Sequence, residues 1–396
     1  MDGERRPNTT IGGPLASDSD YTTILNANRQ RPLVQFRQAS GMAVAQDESG
    51  KSRRNQNMAY DEKHTVRVSI LVKALNEERL IARCLAAAVR EARAVDGEVI
   101  LVDSLSTDRT VEVARSFPVR IVQFARAGDR CCGAAVQLGY QFAAGEYLYV
   151  VDGDMELQPG FIECALALLE DEHEVAGVGG RLVDTQVNTT ADERRSRAAL
   201  RRSRRSDVDH LSGGGLYRRT AVESVGYLAH RWLPAFEEAE LGFRLRAAGW
   251  RLIRVPELAV LHTGHSENDW GMMRRLWYGR RHHAAGLLLR SAIGHGWFGR
   301  AAFSQWPAFV TIGLHSAAVG GAILVAGALG SVPMQWVKLE ALAWAGVWMT
   351  LAVKKRSFLR AGFAALNWHL ITVATMIGAC GRLGDPREPV AARELT

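Results

Sequence analysis

The sequence predicts an α/β domain, a largely parallel sheet with helices on both faces, followed by apolar helices at the C-terminal end. Two observations carry this reading. Between Val66 and Val151 short β-rich runs alternate with stretches whose apolar residues recur at helical spacing. From Ala308 onward the chain changes character and becomes a series of long apolar runs. Across 396 residues 47% are hydrophobic and 23% charged, close to a globular average, which excludes a wholly disordered or collagen-like chain. A formal net charge of +7 admits anionic partners without choosing among nucleic acid, acidic membrane and phosphorylated substrate.

The elements follow in order. Residues 1–64 carry Asn, Gln, Ser, Thr, Gly and Arg without period and no continuous apolar stretch, so they read as a disordered arm without a secretory signal; Met58 is an alternative start. Residues 66–72 (VRVSILV) form the first strand. Leu80, Ile81, Cys84, Leu85 and Ala88 mark a helix over 77–94. Residues 98–102 (EVILV), 119–124 (VRIVQF) and 147–151 (YLYVV) are further strands, with helices over 108–116 and 133–144 between them. Residues 175–182 are a strand, and the basic stretch 192–206 is helical. A helix over 237–248 starts after Pro234, carries acidic residues in its first turn and stops at Gly249; Glu240 and Arg244 can pair on its surface. Five cysteines, two of them adjacent (Cys131 and Cys132), are too few for a disulfide scaffold and read as small core residues in a reducing compartment.

Residues 308–330, 336–353 and 362–379 are apolar runs of about 18–23 residues, enough to span a bilayer. Lys354, Lys355, Arg356 and Arg360 make the loop before the third run cytoplasmic by the positive-inside rule, and the α/β domain with it. The alternative is a buried helical core. Residues 278–300 alternate basic clusters with Leu287, Leu288, Leu289, Ile293, Trp297 and Phe298, which suits an interfacial helix or a plain amphipathic connector.

In a parallel sheet the residues just past the strand carboxyl ends are where chemistry is found. Asp152-Gly153-Asp154 follows the fourth strand directly; its carboxylates, two apart, project the same way, and hard oxygen donors suit Mg²⁺ or Mn²⁺ with phosphate and water completing the shell. Asp103 closes the second strand in VDSLSTDRT, where a polar turn can bond a base or ribose, or simply cap the following helix. Asn76-Glu77-Glu78 closes the first strand in the same way.

The order VSILVKALNEE, EVILVDSLSTDRT, GAAVQLGYQFAAGEYLYVVDGDMELQPG, LSGGGLYRRTAVESVGYL and FEEAELGFRLRAAGWRLIRVPELAVLHTGHS resembles glycosyltransferase family 2, which has the GT-A fold. The resemblance covers about residues 66–265 and is closest to membrane-attached members that build exopolysaccharides, the succinoglycan glucosyltransferase type. It implies a Rossmann-like mixed sheet over 65–270, divided into a nucleotide-binding half (65–155) and an acceptor half (156–270). Interfacial connector helices over 271–304, three transmembrane helices over 305–380 and a tail over 381–396 follow. By the resemblance, Asp103, Asn76 and Glu77 lie at the nucleotide, Asp152 at the ribose or the metal's outer shell, and Asp154 on the divalent ion, within reach of His262. Glu238 stands at the general-base position with Glu237 as the competing carboxylate. Gly213, Gly214 and Gly215, with Trp277 and Arg280 of WYGRR, lie near the acceptor. Two positions depart from the family: Ser104 replaces a second Asp, and Glu238 replaces Asp. The Gln-x-x-Arg-Trp motif of processive synthases has no counterpart in Arg274-Arg275-Leu276-Trp277, so one sugar per encounter is expected.

The expected activity is inverting, metal-dependent transfer from a nucleotide sugar, a UDP-sugar before others, to a lipid-linked saccharide at the inner membrane's cytoplasmic face. Alternatives are transfer to polyprenyl phosphate and a catalytically inactive membrane scaffold. His265 is a weaker candidate than His262. The dense run Arg194, Arg195, Arg197, Arg201, Arg202, Arg204 and Arg205 is a solvated face or a grip on anionic lipid; nucleic acid is not expected, because no aromatic stacking partners are interleaved.

Overall fold

The computed structural model describes residues 66–201, 203–264, 267–329 and 334–395. The expected arm over 1–64, and His265, lie outside the described residues.

Four parallel strands form the centre: β1 (Val68–Ala74), β2 (Gly97–Asp103), β3 (Arg120–Phe124) and β4 (Tyr147–Asp152). Their near-continuous apolar character follows from burial on both faces, with α1 (Ile81–Ala94) and α2 (Thr110–Ala114) on one side and α3 (Cys132–Phe142) on the other. Register fixes the chemistry: Ala74 pairs with Asp103, and Lys73 pairs with Asp152, so the polar ends of β1, β2 and β4 come level at one edge. Gly153 continues that edge because a Cβ there would press within 3.2 Å of Ala74 and Ile81.

The second half was less legible. β5 (Met155–Leu157), α4 (Phe161–Asp171), β6 (Val175–Asp184), α5 (Thr190–Arg201), β7 (Ser206–Asp207), β8 (Gly215–Arg218), α6 (Arg219–Ser224), α7 (Glu237–Ala247) and β9 (Arg251–His262) follow. β8 runs antiparallel between β4 and β6, and β9 pairs parallel with β6 and antiparallel with β5 and β7, making the sheet mixed. β9 delivers His262 opposite Met155, beside the Asp152–Asp154 turn.

Two expectations are corrected. Glu240 and Arg244 do pair, at 2.7 and 2.9 Å, but both are buried: Tyr227 Oη donates to Glu240, and Arg244 donates to the Val225 and Tyr227 carbonyls. The bidentate geometry and these extra bonds satisfy charges that periodicity alone placed on the surface. Residues 381–396 are not a free tail, because β10 (Ala392–Leu395) pairs antiparallel with β3 and completes the sheet edge. Arg120 donates to Glu394 at 2.6 and 2.9 Å, and Gln141 and Val390 exchange bonds. Deleting residues 390–396 uncovers the β3 edge and removes buried Val390, a loss of about 1.5–3 kcal/mol from that side chain alone. A lower melting temperature in detergent is the expected result, and an unchanged one would contradict it.

The connector forms α8 (Asp269–Tyr278), α9 (Ala284–Ala292) and α10 (Phe298–Ser304). Leu287, Leu288 and Trp297 do not face outward; they close a small core with Leu233 and Phe243 of the domain. Ile293 and Phe298 remain exposed. Three helices then follow, α11 (Trp306–Leu329), α12 (Met334–Lys355) and α13 (Phe358–Ala379), each long and apolar enough to cross a membrane by length and composition.

Candidate active site

The aligned strand ends and the N-terminus of α7 enclose one charged cleft. Lys73, at the end of β1, places its Nζ 3.0 Å from Asp152 Oδ1 and 3.0 Å from Glu237 Oε1. The Lys73 side chain is 12% exposed. Burial would lower its pKa, but Asp152 and Glu237 overcome this and hold it well above the usual lysine value. The sequence reading passed over Lys73; its only signal was a charge inside an otherwise apolar strand.

On the other side, Asp154 Oδ2 lies 3.1 Å from His262 Nε2, and His262 Nδ1 lies 2.6 Å from Asp184 Oδ1. Asp184 is buried and accepts from Arg195 at 3.0 and 3.1 Å. This chain orients the imidazole, as outer partners of metal-ligating histidines do. Burial works against a charged His262, but the bonds to Asp154 and Asp184 prevail and raise its pKa to about 10. Glu77 is pushed up to about 7 by burial and by repulsion from Asp154 and Asp152.

The electrostatics fit a cation. Asp154 and His262 offer an oxygen and a nitrogen donor 3.1 Å apart, beside the Glu77 carboxyl, whose pKa is raised by burial and then by its acidic neighbours. No group of three His, Cys, Asp or Glu that could hold a metal occurs among the described residues. Two protein donors, with diphosphate oxygens and water for the rest, match how Mg²⁺ and Mn²⁺ are bound beside phosphates. Because His262 ligates only after losing its proton, cation affinity is expected to rise about tenfold per pH unit below its pKa. Titration calorimetry in buffers of different ionisation enthalpy reads the released proton; no buffer dependence would exclude His262 as a ligand.

The two glutamates of α7 differ. Phe236 precedes them at φ 67° and turns the helix start into the cleft. Burial would raise Glu237, but the Lys73 charge and hydrogen bonds hold it below the ordinary carboxylate range. Glu238 lies outside that ion pair. Burial raises it to about 8 against the pull of Lys73, with Glu237 and Asp152 adding to the rise.

The remaining candidates take clear places. Asp103 is fully buried, accepting the Ser106 N–H and, at 2.8 Å, Gln123 Nε2. Asn76, at φ 57°, accepts the Thr107 N–H at 2.8 Å, while the Glu77 N–H donates to Thr110 Oγ1. These bonds lock the β1 and β2 loops together. Gly214 has φ +80°, and a Cβ on it would meet Val260 at 2.9 Å; on Gly213 it would meet Met155 at 2.5 Å. The glycines, with Gly215 in β8, let this loop lie flat against β4 and β5. Trp277 meets the His283 ring at 5.8 Å. Arg280 is exposed at φ 57°, and it is Arg281 that bonds Cys132 Sγ at 3.2 Å within the field of Glu237 and Asp152. A cavity of 430 Å³ lined by Asp207, His210, Ser212, Arg246 and Arg254 shares no residue with this group.

Fold and cleft together define a GT-A-type domain. The mannosyltransferase of Pyrobaculum calidifontis, solved with GDP-Man and Mn²⁺, superposes with a TM-score of 0.50 at 19% identity, over 83% of this chain and 90% of its own. Residues 69–226 match the model of glycosyl transferase family 2. The match ends before Glu237, Glu238 and His262. Chondroitin synthase of Escherichia coli is 28% identical over 130 residues, 32% of this chain and 19% of the relative. Dolichol-phosphate mannosyltransferase of Pyrococcus furiosus is 25% identical over 122 residues, 30% and 34% respectively. The chain thus spans well under half the length of these two relatives.

Proposed function

We propose that this protein is an inverting, metal-dependent glycosyltransferase. It moves a sugar from a nucleotide sugar, a UDP-sugar before others, to a lipid-linked saccharide in cell-surface polysaccharide synthesis. The carrying observation is that Lys73 bonds both Asp152, in the turn that holds Asp154, and Glu237, the first of the two glutamates of α7. The nucleotide-sugar chemistry draws on the family match and on the GDP-Man and Mn²⁺ of the structural neighbour.

Breaking the anomeric bond leaves negative charge on a diphosphate. A divalent ion held by Asp154 and His262 would supply Lewis-acid neutralisation of that charge. Lys73 keeps Glu237 ionised and fixes the start of α7. Glu238 takes the proton from the attacking sugar hydroxyl, because its raised pKa makes it the stronger base of the pair. Attack from the face opposite the diphosphate inverts the anomeric centre. Ser106 and Thr107, anchored by Asp103 and Asn76, shape the loop that receives the nucleotide.

The acceptor reading follows from what adjoins α7. Phe243 of α7 stacks on Trp297 at 6.4 Å, just before α10, and α10 leads into α11. The glutamates therefore stand a short step from the apolar helices. The basic residues Lys354, Lys355, Arg356 and Arg360 support a domain on the cytoplasmic side of an inner membrane. Polyprenyl phosphate is the second acceptor reading, favoured by the exposed Arg194, Arg201 and Arg204 on and after α5. Plain polyprenyl phosphate with labelled donor separates the two.

Purified full-length protein with Mn²⁺ or Mg²⁺ should turn over at least one member of a nucleotide-sugar panel. No turnover on any donor would remove the proposal. Glu238→Gln is expected to lower kcat by about 10²–10⁴-fold. Since a base acts unprotonated, wild-type activity should climb with pH up to about 8, or to a lower value when a cation fills the cleft. A Glu238→Gln enzyme with an unchanged pH profile would reassign the base to Glu237.

A further inference from the structure

We propose that α13 does not cross the membrane. It lies along the base of the catalytic domain with one face in the near leaflet, and α11 and α12 are the crossing pair. The inference rests on the membrane reading above.

Three points along α13 are held, its two ends at the domain and its middle at the first residue of α11. Near its start, both terminal nitrogens of Arg360 bond Glu193 of α5, at 3.2 and 3.3 Å, and Trp270 of α8 meets Phe363 edge-on at 5.0 Å. At its middle, Trp368 meets Trp306 at 5.0 Å. Trp306 opens α11 directly after α10, which Arg300 ties to Asp209. At its end, Arg290 Nη1 of α9 donates to the carbonyls of Ala379 and Gly381, at 3.0 and 2.6 Å. There the helices touch backbone to backbone, since a Cβ on Gly286 would clash with Thr375 O and one on Gly378 with His283 O. A helix of 22 residues is about 33 Å long, close to the hydrocarbon thickness of a bilayer. A crossing helix of that length has its ends on opposite sides. Both ends of α13 are bonded to one domain.

Parity gives the same answer independently. The sheet begins before α11, and β10 joins it after α13. Both flanks of the three-helix segment therefore lie on one side, and the number of crossings is even.

The outward face of α13 identifies its occupant. Leu359, Leu366, Val373 and Ile377 recur at spacings of 7, 7 and 4, one stripe along a helix, and all are exposed, Leu359 at 88%. Ala361, Thr372, Ala374, Thr375 and Gly378 are buried. Lys354, Lys355 and Arg356 stand at the stripe's head. An apolar stripe headed by cations matches acyl chains beneath anionic headgroups.

The test uses the full chain in sealed inside-out vesicles. One epitope follows the C-terminus, and a second sits in the link between α11 and α12. Protease is expected to remove the C-terminal epitope together with the catalytic domain and to spare the link. Nitroxide labels on cysteines at positions 359, 366, 373 and 377, in a Cys380→Ser background with the unsubstituted parent subtracted, should report one shared depth near the headgroups. A protected C-terminal epitope, or depths that spread over about 27 Å along the four positions, would overturn the proposal. A digested link would overturn it too, because no helix would then cross. A chain that carbonate strips from the vesicles removes the membrane reading itself, and this inference with it.

Discussion

Asp154→Ala is expected to abolish transfer while leaving the fold in place. Asp154 sits in a turn whose backbone is set by other bonds, including the Gly153 N–H to the Lys73 carbonyl at 2.8 Å. Its side chain faces the cleft and touches His262. In the proposed mechanism, removing it takes away the oxygen donor of the cation site, and with it stabilisation of the leaving diphosphate worth about 4 kcal/mol, or roughly 10³-fold in kcat. His262 keeps its bond to Asp184, so the chain behind it stays ordered. The variant should melt close to the wild type, and Mn²⁺ should no longer strengthen nucleotide binding. An Asp154→Ala protein with wild-type turnover would mean that the cleft is not where the diphosphate leaves.

Lys73→Met is expected to cost stability as well as activity. Glu237 is 8% exposed on its side chain and loses its main counter-charge, while Asp152 remains nearby. Leaving one partner of a buried pair uncompensated costs about 3–5 kcal/mol. The sign with pH is fixed by Glu237. In the wild type its folded pKa lies below the unfolded one, so it contributes stability above the unfolded value that is lost as pH falls. Without Lys73, burial dominates and the folded pKa rises above the unfolded one. The deficit of the variant should therefore shrink as pH is lowered from 8 to 5. Lys73→Met with Glu237→Gln should recover most of the melting temperature at pH 8 but not the turnover. If the single variant is as stable as the wild type at pH 8, Lys73 and Glu237 do not form the pair described.

The nucleotide half was largely legible because its signals are local. Strands β1 to β4 are apolar runs bounded by turn residues, and Asp152 and Asp154 follow β4 immediately. What escaped was set by distance along the chain. Lys73 acquires its meaning from Glu237, 164 positions away, and β10 from β3, whose Arg120 meets Glu394 across 274. Asp184 and Arg195, which orient His262, belong to no motif. Arg280 itself is exposed. Its positive φ bends the chain so that its neighbour Arg281 faces the acids. The glycine run, expected near the acceptor, also sits where β4, β5 and β9 leave no room for a Cβ on Gly213 or Gly214. Glu240 and Arg244 show the reverse limit. A pattern that predicts a pair does not predict burial, which depends on Tyr227 and on two carbonyls from the preceding loop.

The late position of β10 bears on biosynthesis. The rim of β3 stays bare while the ribosome makes α11 to α13, since β10 follows them in the chain. During that interval the nascent domain offers an unpaired strand to any neighbour, a known route to misassembly. Synthesis of the apolar helices and sealing of the sheet are thus ordered in time, and a chain halted between them would keep a sticky rim.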